Sequence, residues 1–386
     1  MEIEIGRGKK ARRAYGFDDV AIVPSRRTRD PDDVDISWKL GDYRFELPLL
    51  ASAMDGVVSP ETAKIVGKLG GLAVLNLEGI WTRFEDADEQ LERIAQLPKD
   101  AATREMQAIY QESIKPELIS QRVEELKAEP GVVAAASLTP QRVARYYELA
   151  LEAGLDILVI QGTVVSAEHV SQTTTPLNLK EFIREVGVPV VVGGCASYHT
   201  GLHLMRTGAA GVLVGVGPGA ACTTRGVLGI GVPMATALAD AAGARIRHLE
   251  ETGRYVQVIA DGGMRTGGDV AKAIACGADA VMIGSPLARA VEAPGRGHHW
   301  GMATFHPDLP RGTRVKTTPL GTLKEILLGP APVNDGSMNL FGGLRTSMAT
   351  TGYQTVKEFQ KAEVMVAPAL QTEGKFFQRS QGVGMG

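Results

Sequence analysis

The chain has 386 residues, of which 44% are hydrophobic and 22% charged, values typical of a globular protein with a large core. Its net charge of −3 predicts no basic surface for nucleic acid, and no apolar run reaches the length of a membrane span. Three cysteines do not suggest a disulfide framework, and the N-terminus lacks the apolar segment of a signal peptide, so we expect a cytoplasmic protein.

Eight apolar, β-branched runs follow one another along the chain, and helical patterns separate most of them. Such runs are typical of strands that are buried on both faces of a parallel sheet. The predicted strands are 47–52, 71–77, 132–137, 157–163, 188–193, 211–217, 255–260 and 280–284. Eight strand–helix units favour one α/β domain over residues 1–386, a closed (β/α)8 TIM barrel, with a doubly wound sheet as the alternative.

Three segments do not follow the alternation of predicted strands and helices. Residues 80–130 are charged and helical in pattern, and we expect a helical insertion that lies on the barrel between strands two and three. Residues 292–343 are rich in Gly, Pro and His and predict a long active-site loop after strand eight. Residues 371–386 are interpreted as a C-terminal tail.

The predicted strand ends carry polar residues and glycines, and barrels of this kind place their chemistry at the C-terminal strand ends. Gly262 and Gly263 follow strand seven, and Gly284 and Ser285 follow strand eight. Their backbone N–H groups suit a phosphate, and Asp261 beside them can accept from a ribose hydroxyl. Tight turns are the alternative for one such pair, but two adjacent loops favour a nucleotide monophosphate.

Cys222 follows the sixth strand on a glycine-rich loop, residues 215–225, where no side chain from Gly217 or Gly219 screens the thiol. A thiol there is a candidate nucleophile, and the hydroxyls of Thr223 and Thr224 can position a water. The alternative is an inert small residue in a turn. Cys276 has the pattern of a core residue, whereas Cys195 can either line the site or pack. His298, His299 and His306 lie in the predicted loop, where surface histidines are common.

Several stretches together resemble the IMP dehydrogenase/GMP reductase family, over nearly the full chain. They are Phe17-Asp-Asp-Val20, Ser52-Ala-Met-Asp55, Gly215-Val-Gly-Pro-Gly with Cys222-Thr-Thr-Arg225, Ile259-Ala-Asp-Gly-Gly263, Val281-Met-Ile-Gly-Ser285, Glu292-Ala-Pro-Gly295 and Gly342-Gly-Leu-Arg-Thr-Ser-Met348. The chain is most similar to short members of the family. These lack the paired CBS domains that usually follow strand two.

The resemblance implies that Cys222 attacks C2 of the purine of IMP, that hydride leaves to NAD, and that water hydrolyses the thioimidate to XMP. It implies a catalytic role for Thr224 in handling water or ammonia. Substrate-binding residues would be Ser52, Met54, Asp261, Gly262, Gly263, Gly284, Ser285, Gly301 and Met302. Cofactor-binding residues would be Gln161, Thr163, Gly215 and Gly217, with NADP as the alternative cofactor.

The resemblance also implies a potassium site and a homotetramer. Potassium would bind carbonyls of Gly217, Gly219 and Cys222, with Glu373 and Gly374 from a neighbouring subunit. Lys375 stands where the family often has Gly, so its ammonium can replace the ion. That substitution predicts activity indifferent to potassium.

The chain departs from the family pattern at positions that matter for catalysis. Ala220 replaces a serine that donates to phosphate, Gln161 replaces an aspartate that holds the nicotinamide ribose, and Cys195 replaces an asparagine. The flap with an Arg-Tyr pair that activates water is missing. Arg311 stands where reductases have Glu, and we hypothesise that it binds an anionic oxygen of the purine.

These departures leave three hypotheses open. The first is an IMP dehydrogenase of guanine nucleotide biosynthesis. The second is a GMP reductase that converts GMP and NADPH to IMP and ammonia. The third is a purine-nucleotide-binding paralogue without catalysis.

Overall fold

A computed structural model describes residues 2–172, 176–301, 314–367 and Gln378. Eight parallel strands close into a barrel in chain order, which confirms the predicted (β/α)8 fold. The barrel strands are β1 (Leu49–Ala51), β2 (Leu72–Asn76), β3 (Ala135–Leu138), β4 (Ile157–Gln161), β5 (Val190–Cys195), β6 (Gly211–Val214), β7 (Gln257–Asp261) and β8 (Ala280–Ile283).

The barrel forms because its strands are apolar on both faces. Every residue of β5 is buried, and the same holds for β2 and β3. Side chains that point inward, among them Leu50, Val191 and Met282, form one interior cluster, while the outward side chains pack under the helices. The register Val281↔Leu49 between β8 and β1 closes the ring, so no barrel strand has a free edge.

Helices cover the outside of the barrel. They are α1 (Pro60–Lys68), α2 (Ala87–Gln96), α3 (Lys99–Gln111), α4 (Pro116–Lys127), α5 (Val143–Glu152), α6 (Leu179–Glu185), α7 (Tyr198–Arg206), α8 (Thr224–Leu228), α9 (Met234–Thr252), α10 (Gly267–Ala275), α11 (Leu323–Leu328), α12 (Leu340–Thr350) and α13 (Val356–Phe359). The helical patterns that separate most of the predicted strands correspond to helices such as α5 and α10. No described helix has both the length and the apolar composition to cross a membrane.

Residues 80–130 contain α2, α3 and α4 and a short 3-10 helix, Ile80–Thr82. Ile94 of α2 and Met106 of α3 are fully buried, so these helices pack through apolar faces. Arg122 of α4 donates to the carbonyl oxygen of Trp81 at 3.0 Å, which ties α4 back to the start of the segment. We call residues 80–130 the helical insertion.

Short hairpins and strand pairs complete the fold. The hairpin Trp38–Leu40 with Tyr43–Phe45 packs its apolar side chains onto the interior cluster at the N-terminal end of the barrel. The remaining pairs are Glu2–Gly6 with Lys9–Arg12, Val20–Ile22 with Val364–Val366, and His298–His299 with Val315–Lys316. Further 3-10 helices are Phe17–Asp19, Pro31–Asp33 and Leu287–Arg289.

Candidate active site

A cavity of about 510 Å³ opens at the C-terminal ends of the barrel strands. A volume of this size suits a small-molecule ligand, and the C-terminal end is where barrels of this class carry their active sites. The cavity brings together most of the residues that the sequence singled out: Ser52, Met54, Gln161, Thr163, Gly215, Gly217, Gly219, Cys222, Asp261, Gly262, Gly263, Gly284, Ser285 and Gly301. Met302, Arg311, His306, Glu373, Gly374 and Lys375 lie outside the described residues.

Cys222 lies on the loop between β6 and α8, and its side chain is exposed to the cavity. Its Sγ is 3.2 Å from Oγ1 of Thr224, a buried residue that begins α8. The backbone N–H of Cys222 donates to the carbonyl oxygen of Gly219 at 3.0 Å, which turns the loop back on itself. An accessible thiol beside a fixed hydroxyl is a suitable arrangement for a nucleophile that must lose its proton.

Arg225 braces the cysteine loop from behind. Its Nε donates to the carbonyl oxygen of Val216 at 3.1 Å, and its Nη2 donates to that of Val232 at 2.8 Å. Gly217 has a φ of 71°, and a Cβ there would lie 2.7 Å from Cγ of Arg225. Glycine is therefore needed at 217 both for its backbone conformation and for the close approach of the arginine.

Asp261 ends β7 and faces the cavity next to Gln161 of β4. Nε2 of Gln161 donates to Oδ2 of Asp261 at 3.1 Å. Burial raises the pKa of Asp261 to about 6, and the Gln161 amide opposes this rise because it favours the charged form. Gln161, which the sequence assigned to the cofactor, is thus bonded to the acid assigned to the ribose.

The loops after β7 and β8 form one wall of the cavity. Gly262 and Gly263 have φ values of 79° and 80°, a conformation that glycine adopts without strain. At Gly284, a Cβ would lie 2.6 Å from Sδ of Met54, so the backbone there is in close contact with the segment after β1. The wall therefore presents backbone groups rather than side chains, as a phosphate cradle requires.

Ser285 adds a side chain to this wall, and a histidine lies behind it. Oγ of Ser285 is 2.9 Å from Nε2 of His299, and His299 is 1% exposed. Burial and the neighbouring His298 lower the pKa of His299 to about 4, so the ring is neutral near pH 7. Its Nδ1 is buried and has no hydrogen-bond partner among the described residues.

His299 corrects the expectation of surface histidines in this loop. His298 and His299 pair with Val315–Lys316, and this pairing buries His299 against the cavity wall. His299 is assigned to the site because it contacts Ser285, fourteen residues earlier in the chain. No sequence pattern predicts this contact.

The other two cysteines are not accessible nucleophiles. Cys195 ends β5 and is buried, and burial raises the pKa of its thiol to about 12. Cys276 caps α10 in a partly buried position, and burial raises its pKa to about 11. Both thiols are covered to a greater extent than that of Cys222, which is exposed and is therefore the candidate nucleophile.

The side of the cavity across from the glycine loops is lined by hydroxyl and amide side chains. The ends of β2, β3 and β4 contribute Asn76, Ser137, Thr139 and Thr163 to the lining, across from the glycine loops. Hydroxyl and amide groups of this kind suit the sugar and amide of a nicotinamide nucleotide. Ser137, Thr139 and Thr163 would hold NAD(P), which supplies hydride transfer when bound, whereas the Asn76 amide already donates to Asp55 and accepts from the Glu78 N–H.

The potassium site stays a prediction. Gly217, Gly219 and Cys222 share one loop, but the Gly219 carbonyl already accepts the Cys222 N–H. The other predicted contributors, Glu373, Gly374 and Lys375, lie outside the described residues. Among the described residues, no group of three or more His, Cys, Asp or Glu side chains is placed to hold a metal ion.

Comparison with known proteins identifies the family. The model of the IMP dehydrogenase/GMP reductase domain matches residues 14–305. The chain belongs to the IMP dehydrogenase/GMP reductase family. It is therefore an IMP dehydrogenase-like oxidoreductase, as the sequence predicts.

The relatives include uncharacterized oxidoreductases and IMP dehydrogenases. An uncharacterized oxidoreductase of Mycolicibacterium smegmatis is 50% identical over 94% of this chain and 99% of its own length. The inosine-5'-monophosphate dehydrogenase of Borreliella burgdorferi is 31% identical over 74% of this chain and 72% of its own length. A crystal structure of an IMP dehydrogenase/GMP reductase-like protein from Corynebacterium glutamicum superposes with a TM-score of 0.89 at 45% identity, over 95% of this chain and 97% of that one.

Proposed function

We propose that the protein oxidises IMP to XMP with NAD through a covalent adduct on Cys222. One observation carries the proposal: the exposed Cys222 thiol shares a cavity with the glycine loops after β7 and β8 and with Asp261. A mononucleotide that places its phosphate on the loops and its ribose on Asp261 directs its base toward the thiol.

Described residues take part in the attack of the sulfur on the purine. As the sulfur bonds to C2 of the purine, the thiol proton of Cys222 leaves to solvent, and the Thr224 hydroxyl, 3.2 Å away, can relay it. The hydride that leaves C2 would need NAD held at the Thr163 side of the cavity, since hydride acceptance is the chemistry that this cofactor supplies. Water then adds to C2 of the thioimidate, the C2–S bond breaks, and a proton from that water goes to the sulfur, which releases XMP and the free Cys222 thiol. Arg225 contributes by holding the loop, since it braces Val216 and Val232 throughout.

The substrate and the cofactor are assigned to different parts of the cavity lining. Gly262, Gly263 and Gly284 offer backbone N–H groups to the phosphate, with the Ser285 hydroxyl beside them. Asp261 accepts from the ribose hydroxyls. Ser52 and Met54 pack beside Gly284, and Gly301 borders the purine. Thr163, Gly215 and Gly217 border the cofactor.

The second candidate is a GMP reductase. The absence of the Arg-Tyr pair favours it, because reduction needs no hydrolytic water. In that reaction Cys222 displaces ammonia from C2 of GMP, and a hydride from NADPH then replaces the sulfur. The substitutions at Ala220 and Cys195 favour instead a protein that binds purine nucleotides without turning them over.

One experiment separates these functions. Purified protein is mixed with IMP and NAD, and separately with GMP and NADPH, and the absorbance of the reduced nicotinamide is followed. Formation of NADH with IMP supports the dehydrogenase, and consumption of NADPH with GMP supports the reductase. Tight nucleotide binding with neither signal refutes both. A Cys222→Ser variant serves as the control.

The proposal includes a place in guanine nucleotide biosynthesis, in the cytoplasm, as a homotetramer. Light scattering of the purified protein tests the assembly. Turnover in potassium-free buffer tests the replacement of the ion by Lys375, since strong activation by potassium would contradict that replacement.

A further inference from the structure

The helical insertion contacts the described residues on both sides of the segment 302–313. Residues 302–313 lie outside the described part of the predicted active-site loop, but Gly301 before them and Arg314 after them are described. Gly301 lines the cavity, and its neighbour Trp300 is fully buried. The contacts of Trp300 and Arg314 therefore determine where the loop leaves and rejoins the barrel.

Tyr110 of α3 contacts Trp300, which precedes the segment 302–313. Nε1 of Trp300 donates to the Tyr110 hydroxyl oxygen at 2.7 Å, and that hydroxyl donates to Oδ2 of Asp55. All three side chains are buried. The Tyr110 hydroxyl thus joins the helical insertion, the segment after β1 and the residue before Gly301 in one chain of hydrogen bonds.

Asp55 is itself fixed from several directions. It receives the N–H of Ile80 at 2.9 Å and Nδ2 of Asn76 at 3.2 Å. Gly79 lies so close that a Cβ there would be 1.9 Å from Oδ1 of Asp55. Since Met54, directly before Asp55, and Asn76 both line the cavity, the network lies directly behind its wall.

The C-terminal end of α2 contacts Arg314, which follows the segment 302–313. Nη2 of Arg314 donates to the carbonyl oxygen of Leu97 at 2.7 Å, and Nη1 donates to the carbonyl oxygens of Ile94 and, at 3.3 Å, Ala95. These are the last carbonyls of the helix, which have no partner within it. Arg296, upstream of Trp300, pairs with Asp88 and Glu92 of the same helix.

We propose that the helical insertion positions the nucleotide: Tyr110 and Arg314 hold the two ends of the loop so that Gly301 borders the purine. Tyr110 is a positioning residue, because it acts through Trp300 and does not line the cavity. The nucleotide-binding part of this inference rests on the proposed function. The anchoring of the loop does not, and it can be measured without any ligand.

The test compares Tyr110→Phe with Tyr255→Phe. Tyr255 is a matched control because its hydroxyl also donates to a buried carboxylate, Asp279, at 2.8 Å, but at the other end of the barrel. Both variants should lower the thermal midpoint. Only Tyr110→Phe should weaken IMP binding, by about tenfold, because the residues around Trp300 are then less ordered before IMP binds and must be ordered on binding. It should raise KM for IMP more than it lowers kcat, because binding is what it disturbs.

Hydrogen exchange of the amides of residues 298–301 and 315–316 provides the second readout. We expect Tyr110→Phe to speed their exchange and Tyr255→Phe to leave it at the wild-type rate. Unchanged exchange in Tyr110→Phe overturns the inference, and so does unchanged IMP affinity in a protein whose wild type binds IMP. If the wild type does not bind IMP, the proposed function fails, and exchange alone decides the inference.

Arg314→Gln tests the other side and keeps the inference falsifiable if Tyr110→Phe does not fold. Its control is Arg29→Gln, since Nε of Arg29 donates to the carbonyl oxygen of Gly352 at 2.8 Å, outside the cavity lining. Faster exchange at 315–316 in Arg314→Gln alone supports the inference. Equal rates in the two variants contradict it.

Discussion

The charge of Asp261 should control nucleoside binding. Burial raises its pKa from 3.8 to about 6, and only the carboxylate can accept from both ribose hydroxyls. With a pKa near 6, about nine tenths of the groups are ionised at pH 7 and about one tenth at pH 5. We therefore expect the affinity for inosine to fall about tenfold between pH 7 and pH 5. Inosine is the ligand of choice, because the phosphate of IMP titrates near the same pH, at about 6.

Gln161 provides the decisive variant. Its amide donates to Asp261 and lowers the pKa of the acid, so Gln161→Leu should move the midpoint of the binding profile up by about one pH unit. Asp261→Asn should bind inosine weakly, with no pH dependence over the same range. Calorimetric titration from pH 5 to pH 8 measures all three profiles. A flat wild-type profile, or a midpoint that falls in Gln161→Leu, would refute the reasoning.

The raised pKa of Asp261 also lowers the free energy of unfolding at neutral pH. Because the pKa of Asp261 is higher in the folded protein than in the unfolded chain, the stabilising neutral form is complete below pH 4 and lost as pH rises through 6. A difference of about two pKa units corresponds to at most about 3 kcal/mol. Asp261→Asn should thus raise the free energy of unfolding at pH 7 in a urea titration. A lower free energy of unfolding would show that the carboxylate is stabilising.

Three further outcomes follow from the contacts. Cys222→Ser should abolish turnover and change the free energy of unfolding by less than about 0.5 kcal/mol, since the side chain is exposed. A melting curve and retained IMP binding check that the variant is folded. Turnover at the wild-type rate would exclude Cys222 as the nucleophile. Asp279→Asn should cost about 3–5 kcal/mol in urea titrations, because Arg245 and Lys357 both pair with this buried carboxylate. Burial raises the pKa of Asp279, but these two cations outweigh it and the net pKa is lowered, so the stabilisation should fade below about pH 4; equal acid sensitivity of variant and wild type would contradict the assignment. His299→Ala should weaken IMP binding about fivefold and leave inosine binding unchanged, because it removes the partner of Ser285; a parallel loss for both ligands would argue for a general packing role.

The barrel was predictable because its signals are local. Eight continuous apolar runs predict strands that are buried on both faces, and glycines at their ends mark the loops. The observed strands lie within a few residues of the predicted ones. The largest differences are three residues: the third strand begins at Ala135 and not at 132, and the sixth ends at Val214 and not at 217.

The partners within the site were not predictable, because they depend on how distant strand ends meet. Gln161 and Asp261 are separated by 100 residues and come together only when the barrel closes. Tyr110 and Trp300 are separated by 190 residues, and the chain between them contains most of the barrel. A sequence pattern shows which face of a helix is apolar, but not which hydroxyl on it finds a remote indole.

The different exposure of the three cysteines allows labelling of Cys222 to measure whether the cavity is occupied. Cys195 is enclosed in the barrel wall and Cys276 is largely covered, whereas Cys222 opens into the cavity on a loop that Arg225 keeps in shape. An alkylating dye should therefore label one position while the fold stays intact. Any compound that occupies the cavity shields that position, so the rate of labelling reads out occupancy without knowledge of the reaction.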